Sequence, residues 1–543
     1  MRPSASAKSE TDVTASTAAP ASAQSSSANE ADANTGRADI FPAPDQFAKI
    51  YDEGAPQVVW TRLIADLETP VSAYLKLGER RAMSFLLESI EGGSARGRYS
   101  VIGLAPDLIW KANGDIAEIN RSPEADPEAF TRDANPALQS LRKLLADSAI
   151  TLPETLPPMA AGIFGYMGYD TVRLIEKLPE MKPDALGVPD AILIRPTLML
   201  IFDNVKDEMI LVTPVRPREN ITAADAYAQA LARIEGAIKA LDTPLQRTAS
   251  TPQPTLTLPE PQSNTSPADY MAMVTKAKEY IKAGDIFQVV LSQRFSAPFA
   301  LPSFALYRAL RRLNPSPFLF HLDFGNFQLV GSSPEILVRA RDGVVTIRPI
   351  AGTAPRGATD AEDKALAAAL LADPKERSEH LMLLDLGRND VGRVSEPGSV
   401  TVTDKFVIER YSHVMHIVSN VIGKLDEKNH DAIDALMAGF PAGTVSGAPK
   451  VRAMEIIAEF EKAKRGPYAG CVGYFSASGE MDTCIVLRTA ILKDGMIHVQ
   501  AGAGIVHDSI PENEQQECIN KAKAVVRAAE EAVRFASRSS NTR

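Results

Sequence analysis

Two short acidic patterns in this 543-residue chain have the spacing that chemistry requires. Glu376 and Glu379 stand three apart in Asp373-Pro374-Lys375-Glu376-Arg377-Ser378-Glu379-His380, and Glu514 and Glu517 repeat that spacing near Pro511. Residues three apart share a helix face, and Lys521 carries the second face one turn further. Either pair alone reads as a solvated helix surface. Taken together, and each preceded by a glycine-rich stretch (Ile350-Ala351-Gly352-Thr353 and Ala501-Gly502-Ala503-Gly504), they read as a carboxylate site for a hard divalent ion. Mg²⁺ is the expected cofactor. Glycines beside it allow backbone N–H groups to approach an anionic substrate.

The elements that must hold these residues follow from local signals. Pro374 and Pro511 occupy first-turn positions, so each acidic pair opens a helix. Ser266-Pro267 starts another helix, with Tyr270, Met273, Val274, Ala277 and Ile281 on one face and Gly284 ending it. Strands are expected at Phe85 to Leu87, Ile192 to Ile194, Leu198 to Phe202 and Met209 to Val212, with a helix over Ala223 to Leu241. Further strands are expected at Phe287 to Leu291, Phe318 to Leu322, Gln328 to Val330, Ile336 to Ala340 and Val344 to Arg348, with Arg341-Asp342-Gly343 forming a tight hairpin turn. No regular strand-helix repeat emerges. The expected class is therefore α+β, large antiparallel β-sheets forming a sandwich-like core with helices packed outside.

Composition sets the limits. Residues 1–38, rich in Ser, Ala and Thr, read as a disordered tail. Residues 39–242 form an N-terminal region, 243–266 a Pro/Ser/Thr-rich linker or crossover, 267–535 the region carrying the chemistry, and 536–543 a short tail. Hydrophobic residues make up 45% and charged residues 23%, a globular balance. The net charge of -10 argues against nonspecific nucleic-acid binding, and no apolar run is long enough to span a bilayer. No apolar signal segment is evident, and Glu10, Asp12, Glu30 and Asp32 are out of place in a transit peptide, so a cytoplasmic location is expected. Cys471, Cys484 and Cys518 form no C-x-x-C pair and read as buried apolar fillers.

Four separate motifs give the chain a resemblance. Gly331-Ser332-Ser333-Pro334-Glu335, Arg348-Pro349-Ile350-Ala351-Gly352-Thr353, Leu384-Asp385-Leu386-Gly387-Arg388-Asn389-Asp390 and the terminal E-x-x-E-x-x-x-K occur in order within residues 266–528. This half of the chain resembles the chorismate-utilising enzymes. Members that add water carry a lysine base where this chain has Gln288, and a neutral amide cannot act as a general base. The nucleophile implied is ammonia. Ala351 stands where aminodeoxychorismate synthases usually carry lysine, so within the family the likeness is to the large aminating subunits of anthranilate synthases.

The resemblance implies amination of chorismate with release of pyruvate, the first committed step of tryptophan biosynthesis. Glu376, Glu379, Glu514 and Glu517 would hold Mg²⁺. Gly352, Thr353, Tyr468, Arg488, Gly502 and Gly504 would bind substrate, Arg488 as a bidentate clamp. Glu335 would protonate the departing hydroxyl, His416 would assist pyruvate loss, Gln288 would stand in the catalytic site in place of the lysine base, and Lys521 would tune the carboxylates or meet the substrate carboxylate. Outside the motif set, Arg488 would read as a strand-end arginine and His416 as a structural histidine, which is the reading given to His413. Leu86-Leu87-Glu88-Ser89 and Asn314-Pro315-Ser316-Pro317-Phe318-Leu319 resemble the family's tryptophan-inhibition segments. That match nominates Glu88, Ser89, Pro317, Phe318, Leu319, Val472 and Tyr474 as an inhibitor pocket. No Cys-His-Glu glutaminase unit is evident, so a separate glutamine amidotransferase subunit is expected, in a heterodimer or heterotetramer. The alternatives are an aminodeoxychorismate synthase component, and a catalytically silent tryptophan-binding module.

Overall fold

Alternating apolar residues with frequent turn signals have only one way to satisfy their backbone, which is to pair. In the computed structural model, 23 strands among the described residues join into one hydrogen-bonded network. Every pairing between these strands is antiparallel. The structure describes residues 39–541 except 80, 92–94, 246–257 and 412–413. The expected disordered tail and the middle of the expected linker lie outside the described residues.

The sheets pack over an apolar interior to which strands contribute most of the side chains. Val58, Phe85, Phe164, Met199, Phe320, Phe327, Val472 and Ile491 all belong to this cluster. A second cluster lies beneath the helices Pro44–Asp52, Pro70–Leu77, Ala223–Asp242 and Ser303–Leu313, which cover the outer sheet face. This is the expected sandwich-like α+β arrangement with helices outside.

The regions on either side of the expected linker do not fold apart. Strand Cys471–Ser476 pairs with Gly162–Met167, and Phe318–Asp323 pairs with Ser84–Glu91, so both halves of the chain build the same sheets. The described residues from Asp39 onward accordingly form one compact unit.

Local signals set most element ends. Helix Pro267–Ala283 is capped by Ser266, whose side chain accepts from the Asp269 N–H, and ends at Gly284 with φ 85°. Asp342 (φ 51°) and Gly343 (φ 69°) make a two-residue turn joining Ile336–Arg341 to Val344–Ile347. One expectation is corrected: Ile192 to Ile194 and Leu198 to Phe202 are a single strand, Ala191–Asp203. Pro196 does not break it because it lies opposite Pro106 beside a register shift, where the ladder does not need its missing N–H. The three cysteines are buried free thiols. Burial drives all three upward, Cys471 to about 12 and Cys518 to about 11, which matches the filler reading. No helix among the described residues is long and apolar enough to cross a membrane.

Candidate active site

The two acidic helices are Pro374–Gly392 and Pro511–Asn541, the latter running past the expected boundary at 535. Asp373 caps the first by accepting from the N–H groups of Lys375 and Glu376, which aims Glu376 and Glu379 off its opening turns. The second packs on strand Met496–Ile505. Between them lies a cavity of about 550 Å³. Its wall includes all fourteen residues nominated from sequence for catalysis, substrate binding or metal binding: Glu335, His416, Gln288, Lys521, Gly352, Thr353, Tyr468, Arg488, Gly502, Gly504 and the four glutamates.

The carboxylates gather at one end and feel each other across the two helices. Burial raises the Glu376 pKa, and the charges of Glu379 on its own helix and Glu517 on the other add to that rise. Glu514 is likewise raised by burial and by Glu517. Lys521 Nζ lies 2.7 Å from Glu517 and donates to the Gly502 carbonyl at 2.9 Å. No group of three or more potential ligands is drawn together into a ready-made metal cage among the described residues. Mg²⁺ does not require one, because it keeps waters and uses substrate oxygens beside one or two carboxylates. An all-oxygen donor set with mutually repelling carboxylates fits such an ion.

The glycines are explained by what crowds them. Gly352, with φ 68°, sits at a bulge between Ile350–Pro355 and Val414–Lys424, and a Cβ there would lie 3.0 Å from Glu376 Oε2. Its carbonyl is 2.9 Å from His416 Nδ1. If Nδ1–H donates to it, the lone pair is left on Nε2. A Cβ on Gly504 would lie 2.5 Å from Gln288 Nε2. That amide donates to Glu379 at 3.2 Å, while its Oε1 is buried without a partner. Gly504→Ala must therefore swing the Gln288 amide away from Glu379. The expected result is a kcat on the order of 10²-fold lower with little change in Tm, checked by steady-state kinetics and a melting curve.

Strand Met496–Ile505 pairs with Gln288–Pro298 along its length, but its second neighbour, Thr489–Lys493, stops opposite Val499. The backbone of residues 501–505 thus keeps one edge without a strand partner among the described residues, at the cavity wall. Here a substrate carboxylate can meet main-chain N–H groups.

Also in the cavity wall, Glu335 occupies the turn between strands Phe327–Ser333 and Ile336–Arg341. Burial pushes its carboxyl up to about 8, against the lowering effects of Thr444, the Ile350 N–H and the Arg488 charge. Thr444 Oγ1 donates to it at 3.2 Å. A carboxyl in that state carries a proton near neutral pH. Arg488 is not in a strand: it lies in a bend with φ 48°, and it forms no ion pair among the described residues. Its guanidinium is largely buried, and that burial lowers its pKa. A free, desolvated guanidinium at a cavity wall is suited to an incoming carboxylate.

Some wall residues carried no sequence signal. Thr444 meets Glu335 across 109 positions, and its only local mark is the run Gly443-Thr444-Val445-Ser446-Gly447. Lys375 lines the cavity, and its charge opposes the rise of Glu376 and Glu514. Behind the wall, Arg465 pairs with Glu461 at 2.6 Å and donates to the Val290 and Val445 carbonyls, each at 2.7 Å. Both groups are almost fully buried. Arg465→Met leaves Glu461 charged and unpaired, so a loss of about 3–5 kcal/mol is expected in urea denaturation.

The residues nominated for an inhibitor pocket are divided. Val472, Tyr474 and Phe318 belong to the inter-sheet interior, where Tyr474 stacks on Phe164 at 5.4 Å. Leu319 belongs to the layer under the helices. Glu88 turns to the same layer, where its carboxylate accepts from Arg311 Nε and Nη2 at 2.6 and 2.9 Å and from the Tyr307 hydroxyl. Ser89 lies opposite Phe318 at a register shift, and Pro317 immediately precedes that strand. His413 lies outside the described residues. The Leu384 to Asp390 motif is a packing surface: Leu384, Gly387 and Asp390 face inward, and Asp390 pairs with Lys450 at 2.8 Å.

Comparison with known proteins agrees with this arrangement. The family model for chorismate binding enzymes matches residues 54–527. Anthranilate synthase component 1 of Cereibacter sphaeroides is 56% identical over 499 residues, covering 92% of this chain and 99% of that protein. The component 1 protein of Thermus thermophilus is 46% identical over 467 residues, covering 86% and 96%. Among solved structures, anthranilate synthase component I from Streptococcus pneumoniae matches with a TM-score of 0.70 at 38% identity, over 85% of this chain and 98% of that one. The menaquinone-specific isochorismate synthase MenF of Escherichia coli shares the fold, with a TM-score of 0.65 at 20% identity over 90% and 99%. Matched along most of its length by the family model and by component 1 relatives, the chain belongs to the chorismate binding enzyme family.

Proposed function

We propose that the chain is the large subunit of an anthranilate synthase, converting chorismate and ammonia to anthranilate and pyruvate. The observation that carries this reading is the cavity's polarity. A protonated carboxyl, Glu335, lies in one part of the wall, four glutamates in another, and the neutral amide of Gln288 beside the glutamates. Mg²⁺ held by Glu379 and Glu517, with Glu376 and Glu514 beside them, would supply positive charge against the ring carboxylate. Arg488 and the free strand edge at Gly502 and Gly504 would hold the substrate's carboxylates. The unpartnered Oε1 of Gln288 is an acceptor for an N–H of ammonia, and no base is needed to make that nucleophile. Glu335 would give its proton to the departing ring hydroxyl, and His416 Nε2 would take a proton as pyruvate leaves.

The ammonia would come from a glutamine amidotransferase subunit in a heterodimer or heterotetramer; the component 1 names of the relatives support the existence of a further component. Tryptophan would act as feedback inhibitor in the inter-sheet region around Ser89, Phe318, Val472 and Tyr474. Three free cysteine thiols support a cytoplasmic location. The test uses the purified chain with chorismate, Mg²⁺ and ammonium. Fluorescent anthranilate and free pyruvate should appear together, and tryptophan should suppress both. A product that keeps the pyruvyl group would replace this reading with aminodeoxychorismate synthesis, and tryptophan binding without turnover would replace it with a sensing module.

A further inference from the structure

The N-terminal half carries a second charged site that shares no wall residue with the catalytic cavity. Five arginines converge there: Arg195 on strand Ala191–Asp203, Arg216 and Arg218 beyond strand Glu208–Val215, Arg233 on helix Ala223–Asp242, and Arg121 beyond strand Ile116–Asn120. The acids facing them are Asp107 and Glu124, and Asp133 feels the charge of Arg121. Asp107 is already engaged, because Arg195 donates to both of its oxygens at 2.7 and 3.1 Å. Arg218 reaches Asp107 only at 3.8 Å. Arg216 donates to the Ser148 carbonyl at 2.9 Å and keeps a buried Nε with no partner. Arg233, half-buried, has no side-chain hydrogen bond or ion pair among the described residues.

Such an arrangement opposes itself. Burial, then the charge of Arg195, push Arg216 down to about 10, and burial with the charge of Arg218 lowers Arg233. Gathering unpaired guanidiniums in a protein of net charge -10 costs free energy that a counter-anion would recover. Arg121, Arg218 and Arg233 all line one cavity of about 300 Å³, the lower end of the small-ligand range. The planar fork of arginine matches the oxygens of a phosphoryl group.

We propose that this cavity binds a small dianionic oxyanion of the phosphate class, free or as a phosphate ester, gripped by Arg218 and Arg233 with Arg121 at its rim. The test is calorimetric titration of the full chain with inorganic phosphate and, separately, glycerol 3-phosphate in low-chloride buffer, beside the double variant Arg218→Gln, Arg233→Gln. Saturable binding of at least one probe is expected, weakened about tenfold or more in the variant. Tighter binding of the ester assigns the site to phosphorylated metabolites, and binding of inorganic phosphate alone assigns it to the free anion. Absence of saturable binding for both probes, or equal binding by the variant, overturns the proposal. Without anion the variant should melt no lower than the parent, since it loses like charges; a lower Tm would make the cluster an internal brace and also overturn it.

Discussion

Glu335→Gln should lower kcat for anthranilate formation by about 10²–10⁴-fold, the range typical of a lost general acid, while leaving KM for chorismate nearly unchanged. The side chain keeps its shape, and Thr444 Oγ1 can still donate to the amide oxygen, so a fold defect is not expected. The pH profile supplies a second readout. With a carboxyl raised to about 8, the protonated form that can donate is lost as pH rises through 8, so kcat of the parent should fall on that limb. Stability must follow the same proton. The folded state holds it between the ordinary carboxyl pKa and about 8 while the unfolded chain does not, so stability declines with rising pH across that window. The glutamine variant lacks that slope and should be more stable than the parent above pH 8, on the order of a few kcal/mol. A variant that kept full activity, or a parent whose kcat stayed level to pH 9, would remove Glu335 from this role.

How much of this was legible beforehand depended on the sequence range of each interaction. The two acidic faces could be read because three-residue spacing and a proline at the first turn are local facts, and the helices at Pro374 and Pro511 begin where those facts place them. Ser266 and Gly284 announced both ends of their helix for the same reason. The hairpin at Asp342-Gly343 needed only two residues of left-handed backbone. Long-range pairing left no such trace. Nothing near Cys471 indicates that Gly162–Met167 will be its neighbour, which is why the halves read as separate regions although they share sheets. The bend at Arg488 was hidden because a non-glycine residue with positive φ has no local signature; the guanidinium reaches the cavity from a loop between strands. Glu88 hides another long-range link: its carboxylate accepts from Arg311 and Tyr307, more than 200 positions away, and nothing in Leu-Leu-Glu-Ser announces either partner.

The largest loss should come from neutralising the acidic end, and it should separate metal binding from folding. In the double variant Glu379→Gln, Glu517→Gln two of the three carboxylates whose charges raise Glu376 are gone, Asp373 remaining, and Glu514 loses the repulsion of Glu517. Removing like charges without removing volume favours the folded state, so in chelated buffer the variant should melt at or above the parent's Tm. Lys521 retains its bond to the Gly502 carbonyl and still anchors the second helix to the cavity wall. The parent should gain Tm with added Mg²⁺, because an ion that binds only the native state stabilises it by mass action, and the variant should show no such gain. Turnover should fall below detection in the variant, since the remaining carboxylates cannot replace both of the ligands proposed for Mg²⁺. The two readouts locate any failure. A variant that is inactive but still stabilised by Mg²⁺ would move the ion to Glu376 and Glu514, and one that stays active would take the acidic helices out of the chemistry.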